Sequence, residues 1–137
     1  LDLAKYMKEY AEVTVLVPAA PKAADTEVLE GVSVIRYHYF PVHSLETLCY
    51  PGAIVPRIRE KKVRGLLVPW LFVSLWVHLF KMRKSYDIVQ ANWLIPQGIV
   101  QSFLKKPYIV TGHGADVTSL NRGLLKKLKK IKIFVDK

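Results

Sequence analysis

Short apolar runs alternate along this chain with longer helical stretches, and that alternation constrains the fold more than any single residue. Val13–Val17 is nearly continuous in apolar residues and is ended by Pro18. Such a run is expected of a strand buried on both faces. Gly31–Tyr37 begins with apolar and polar residues in alternation, and Tyr86–Ala91 and Tyr108–Thr111 are further strand candidates rich in β-branched and aromatic residues. A helix is expected at Leu1–Tyr10, where Leu3, Tyr6, Met7 and Tyr10 share one face, and another from about Leu66 to Lys84, with Pro69 in its first turn. A short helix at Gly98–Lys105 and a basic one running to about Lys130 follow, the latter capped by Ser119 or Asn121, and Ile131–Val135 reads as one more strand. Ala19–Glu30 and Phe40–Pro56 read as loops. Alternation of this kind predicts an α/β fold, a Rossmann-like parallel sheet with helices on both faces.

Length and composition set the frame for that sheet. At 137 residues and 51% apolar, the chain supports one domain, 1–137, with one core, and disorder is not expected. Its single cysteine, Cys49, rules out an internal disulfide framework and suits a reducing compartment. The start is charged and carries no apolar signal region, and the chain begins mid-pattern without an initiator methionine, so a piece of something longer is expected. Gly65–Phe80 has no formal charge, yet it falls short of the about 20 residues a membrane span needs.

A net charge of +10 directs attention to anionic partners. Arg57, Arg59, Lys61, Lys62 and Arg64 form one cluster. Arg122, Lys126, Lys127, Lys129, Lys130 and Lys132 form another, with no acid between Asp116 and Asp136. The aromatics lie in apolar runs and do not alternate with these cations, so no nucleic acid is expected.

Two strand ends carry the chemistry-bearing residues. Tyr108–Thr111 runs directly into Gly112-His113-Gly114 and then Asp116. Glycines on both sides of a histidine permit a sharp turn and close approach of a ligand, and the carboxyl ends of strands are where α/β sheets take ligands. Asp116 either orients the imidazole or caps the next helical turn. The other stretch, Asp87 to Gly98, reads as strand, a polar-aromatic turn at Asn92-Trp93, and a helix start at Gly98. If the two strands are parallel neighbours, both turns face one cleft. His38 and His43 read as surface or packing residues, His78 as structural, and Cys49 as inert. No Cys/His cluster has metal-ligand spacing, and no Walker loop or Gly-x-Gly-x-x-Gly occurs.

These residues resemble a known family. Asp-Ile-Val-x-Ala-x-Trp-Leu-x-Pro-x-Gly, followed by a helix and Pro-Tyr-Ile-Val-Thr-x-His-Gly-x-Asp-Val, is similar to the N-terminal domain of family 4 glycosyltransferases, retaining enzymes of the GT-B fold. The resemblance covers most of the chain, with Ala19–Val63 matching in layout alone. It implies transfer of a sugar from a nucleotide-sugar donor to a hydroxyl acceptor, with no metal and no resident cofactor. His113 and Asp116 match the family's catalytic motif, His113 lying near the transferred sugar. Thr111, Gly112 and Gly114 flank it, and Asn92, Trp93 and Gly98 match the acceptor-side loop. Family members often carry histidine where this chain has Asn92. The family's first strand and its C-terminal nucleotide-sugar domain have no counterpart between Leu1 and Lys137, so this chain alone is expected to be inactive. Many family members work on lipid-linked acceptors, which implies a cytoplasmic protein, peripheral at the inner face of an anionic membrane. The alternative is a non-catalytic basic α/β module that binds anionic membrane or nucleic acid.

Overall fold

The structure is a computed structural model that describes residues 2–112 and 133–135. It is a mixed α/β chain with two three-stranded sheets, one in each of two compact units, residues 1–74 and 75–137.

The first unit opens with helix α1, Asp2–Met7, shorter than the expected Leu1–Tyr10. Strands β1 (Thr14–Pro18), β2 (Thr26–Leu29) and β3 (Val32–Tyr37) follow. They lie in the order β1-β3-β2. β1 and β3 are parallel, with Thr14 opposite Ser33 and Pro18 opposite Tyr37. β2 runs antiparallel to β3, pairing Leu29 with Val32. This strand corrects the reading of 19–30 as loop. Glu30 and Gly31 both have positive φ, 53° and 80°, which is the twist a two-residue hairpin turn requires. Arg36 fastens the edge: its guanidinium pairs with Glu27 and donates to the Ala24 carbonyl at 2.7 Å. Val32, Val34 and Tyr37 of β3 are buried with Tyr39 and Leu48.

The basic cluster is helical in part. Helix α2 spans Ile54–Glu60 and begins inside Phe40–Pro56, which was expected to be loop. Glu60 there accepts from Arg57 at 3.3 Å and from Arg64 at 2.7 Å, and both arginines are half-buried. Arg59, Lys61 and Lys62 are exposed.

Helix α3, Leu67–Met82, is the apolar helix foreseen from sequence. Leu67, Leu71, Leu75 and Leu79 recur every fourth residue and are buried. The opposite side presents Trp70, Val73, Trp76 and Phe80, each 38% exposed or more.

The second unit contains strands β4 (Val89–Ala91), β5 (Tyr108–Gly112) and β6 (Ile133–Val135), with helix α4 (Ile99–Ser102) between β4 and β5. All neighbours in the order β4-β5-β6 are parallel. Between β4 and β5 the connection carries α4, as a parallel pair needs a crossover and not a tight hairpin. Ala91, Leu94 and Val110 form the core here, with Tyr108 packed on it.

Candidate functional site

The parallel pairing of β4 and β5 brings two sequence-identified segments together. Ala91 lies opposite Val110, so Asn92-Trp93 and Thr111-Gly112 both sit at the carboxyl ends of neighbouring strands. Asn92 and Trp93 are exposed, Thr111 is half-buried and Gly112 is buried. His113, Gly114 and Asp116 lie outside the described residues.

The loop after β4 is built, not slack. Gly98 donates its N–H to the Trp93 carbonyl at 3.1 Å and closes a wide turn over Leu94–Gly98. Ile95 is extended within it, and the Ile95–Pro96 peptide is cis. Leu94, Pro96 and Gly98 face inward, while Ile95 is 39% exposed beside Trp93 at 44%. The turn thus anchors itself through buried apolar residues and presents Asn92, Trp93 and Ile95 outward.

Gly98 has a packing reason to be glycine. A Cβ at that position would stand 3.2 Å from both Val110 methyl groups. Its place is the contact between the turn and β5, and its conformation is ordinary right-handed helix.

Three polar residues that sequence reasoning passed over lie in this unit. Gln90, on β4, donates from Nε2 to the Thr111 hydroxyl at 3.5 Å across the strand pair. Gln101 is fully buried, and neither polar atom of its side chain has a hydrogen-bond partner among the described residues, nor does Gln97 Oε1. Gln101 approaches the Tyr86 phenol without meeting hydrogen-bond geometry there. Leaving a buried amide unpaired costs about 1–3 kcal/mol. In sequence, Gln97 falls at the end of a loop and Gln101 on a short helix, both ordinary places for a solvated amide, so no signal marked them.

Other chemistry is limited. Burial pushes the Cys49 thiol up to about 11, with a Tyr39 hydrogen bond acting in the opposite direction. A thiol in that state is not a nucleophile near neutral pH. No group of three His, Cys, Asp or Glu side chains among the described residues is arranged to hold a metal ion.

No known protein family, curated protein or solved structure matches this chain.

Proposed function

We propose that the chain is the acceptor-side Rossmann-like domain of a retaining glycosyltransferase of GT-B architecture. The observation that carries this reading is the parallel β4–β5 pair. It sets Asn92-Trp93 and Thr111-Gly112, the residues that lead into His113, at the same end of one sheet. Ligands of open α/β sheets bind outside the carboxyl ends of the strands, where backbone turns and short side chains line a cleft. In this reading Trp93 and Ile95 offer an apolar surface against a sugar or lipid acceptor, and Asn92 supplies an amide for hydroxyl groups. Thr111, held by Gln90, and the glycines beside His113 let the donor sugar approach the backbone. His113 stabilises charge near the transferred sugar by position and electrostatics, with Asp116 as its orienting acid. No metal enters the proposal.

The test is transfer by the full gene product. A panel of nucleotide sugars and hydroxyl acceptors, including lipid-linked ones, should give a product that keeps the donor's anomeric configuration. His113→Ala should lower turnover by about 100-fold or more, the scale on which removing one electrostatic stabiliser acts. Near-normal turnover in that variant would remove His113 from the mechanism. A gene product without a second Rossmann-like half would sink the enzyme reading.

A second reading has its own observation. The exposed side of α3 presents Trp70, Val73, Trp76 and Phe80, and Arg59, Lys61 and Lys62 lie exposed just before it, with Lys81, Arg83 and Lys84 near its end. Arg83 stacks over the Phe80 ring at 3.9 Å. Helical residues run continuously from Lys62 to Met82, 21 residues, within which an 18-residue window has mean hydropathy 1.6, so by length and composition this stretch reaches that of a span. An interfacial helix fits better than a span, because a stripe of leucines is buried on one side and cations flank both ends. This face would dock on an anionic bilayer, with or without catalysis. Absence of binding to anionic vesicles at low salt would count against it.

A further inference from the structure

We propose that His38 is a protonation-operated latch: as the imidazolium it ties Asp25 to Glu46 and closes the loop after β3, and loss of its proton opens that loop.

The geometry requires both ring nitrogens to act as donors. His38 is the first residue after β3. Its Nδ1 is 2.6 Å from Glu46 Oε2, and its Nε2 is 3.0 Å from Asp25 Oδ1. Carboxylates only accept, and a neutral imidazole carries one N–H while the imidazolium carries two. Either neutral tautomer therefore leaves a ring lone pair facing a carboxylate oxygen. Glu46 cannot easily turn away. Its side chain is 5% exposed, and its other oxygen accepts the N–H groups of Tyr39 at 2.6 Å and Phe40 at 2.9 Å. One carboxylate thus organises the backbone of the loop while its second oxygen holds the imidazolium.

The remaining neighbours define what tunes the latch. The exposed His43 ring stacks on His38 with centroids 3.6 Å apart and planes within 6°. Arg36, two residues back on β3, is engaged with Glu27. α3 contributes the Ser74 hydroxyl, which donates to the His38 carbonyl at 2.6 Å and is uncharged. Tyr39 and Cys49 stay neutral near physiological pH, because burial pushes them up to about 12 and about 11. Two anions thus outweigh the cations facing His38. The Glu46 hydrogen bond foremost, opposed by burial and reinforced by Asp25, holds the imidazole above its ordinary range.

Because the folded value is raised, the latch contributes fully below the unfolded histidine value of about 6.5 and is lost as pH rises through the folded value. Its place gives it a use. The loop it closes leaves the carboxyl end of the β1–β3 parallel pair, the edge where ligands of such sheets enter. Closure seats Leu48, whose N–H donates to the Tyr39 hydroxyl oxygen at 3.0 Å, under the same loop.

The experiment is a histidine-ring NMR titration of the intact chain between about pH 5 and 9, with amide exchange of Tyr39 and Phe40 followed in parallel. His38 should titrate above about 6.5, and Asp25→Asn, at an exposed position that tolerates the change, should bring its midpoint down. Protection of both amides should fall by roughly tenfold beyond the ordinary base-catalysed trend as pH passes the His38 midpoint. His38→Gln, which does not titrate, should lack that step. A His38 midpoint at or below the ordinary value, or the same loss of protection in His38→Gln, would overturn the proposal.

Discussion

Gly98 is a residue singled out by a motif that also has a packing reason to be glycine. Motif resemblance placed it among ligand-side glycines, whereas its hydrogen atoms face Val110, with 3.2 Å left for any Cβ. Gly98→Ala sets a gain in helix propensity of about 1 kcal/mol against overpacking of about 1–3 kcal/mol. A net loss of about 1 kcal/mol is expected in denaturant unfolding, and Gly98→Val should lose more than the alanine variant. Equal stability of all three would mean that the turn yields freely. Cys49 offers a second check at this scale. With its thiol held at about 11, its reaction with a disulfide reagent near pH 8 should be roughly 100-fold slower than in the urea-unfolded chain. A similar rate in both states would contradict its burial. The His38 cluster was not legible, because Asp25, His38 and Glu46 are brought together only by the β2–β3 hairpin and the loop that follows.

At the scale of elements, α3 was legible as a helix but its orientation was not. A segment apolar nearly all round hides which side is buried, and only packing separated the leucines from the aromatics. That separation predicts a division of effects. Leu71→Ala should cost about 2–5 kcal/mol of stability, as for a filled core position, while exposed Val73→Ser should stay within about 0.5 kcal/mol. Val73→Ser combined with Trp76→Ser should weaken pelleting with anionic vesicles if this side meets a bilayer. Unchanged pelleting would assign that contact elsewhere. β2 was missed because Thr26, Glu27, Val28 and Leu29 form a half-exposed edge strand, whose composition differs little from loop. The Glu30-Gly31 turn was its only signal. β1, β3, β4 and β5 were recovered within a few residues, because β-branched runs ended by proline or glycine leave few alternatives.

For the whole molecule, the α/β class was readable from the alternation of elements, but the pairing was not. Two sheets, one mixed and one parallel, stand where one parallel sheet was expected. Strand order depends on contacts between distant segments, which periodicity does not encode. What did follow from sequence is the adjacency on which the proposed function rests: β4 and β5 are parallel partners, and their carboxyl ends carry Asn92-Trp93 and Thr111-Gly112. The central claim is that those ends belong to a sugar-transfer site. The most direct measurement is NMR of the anomeric product made by the full gene product from a nucleotide sugar, with wild type and His113→Ala compared under identical conditions. The account predicts a product with retained configuration and turnover reduced by about 100-fold or more in the variant. A product of inverted configuration, or a variant as active as wild type, would contradict it.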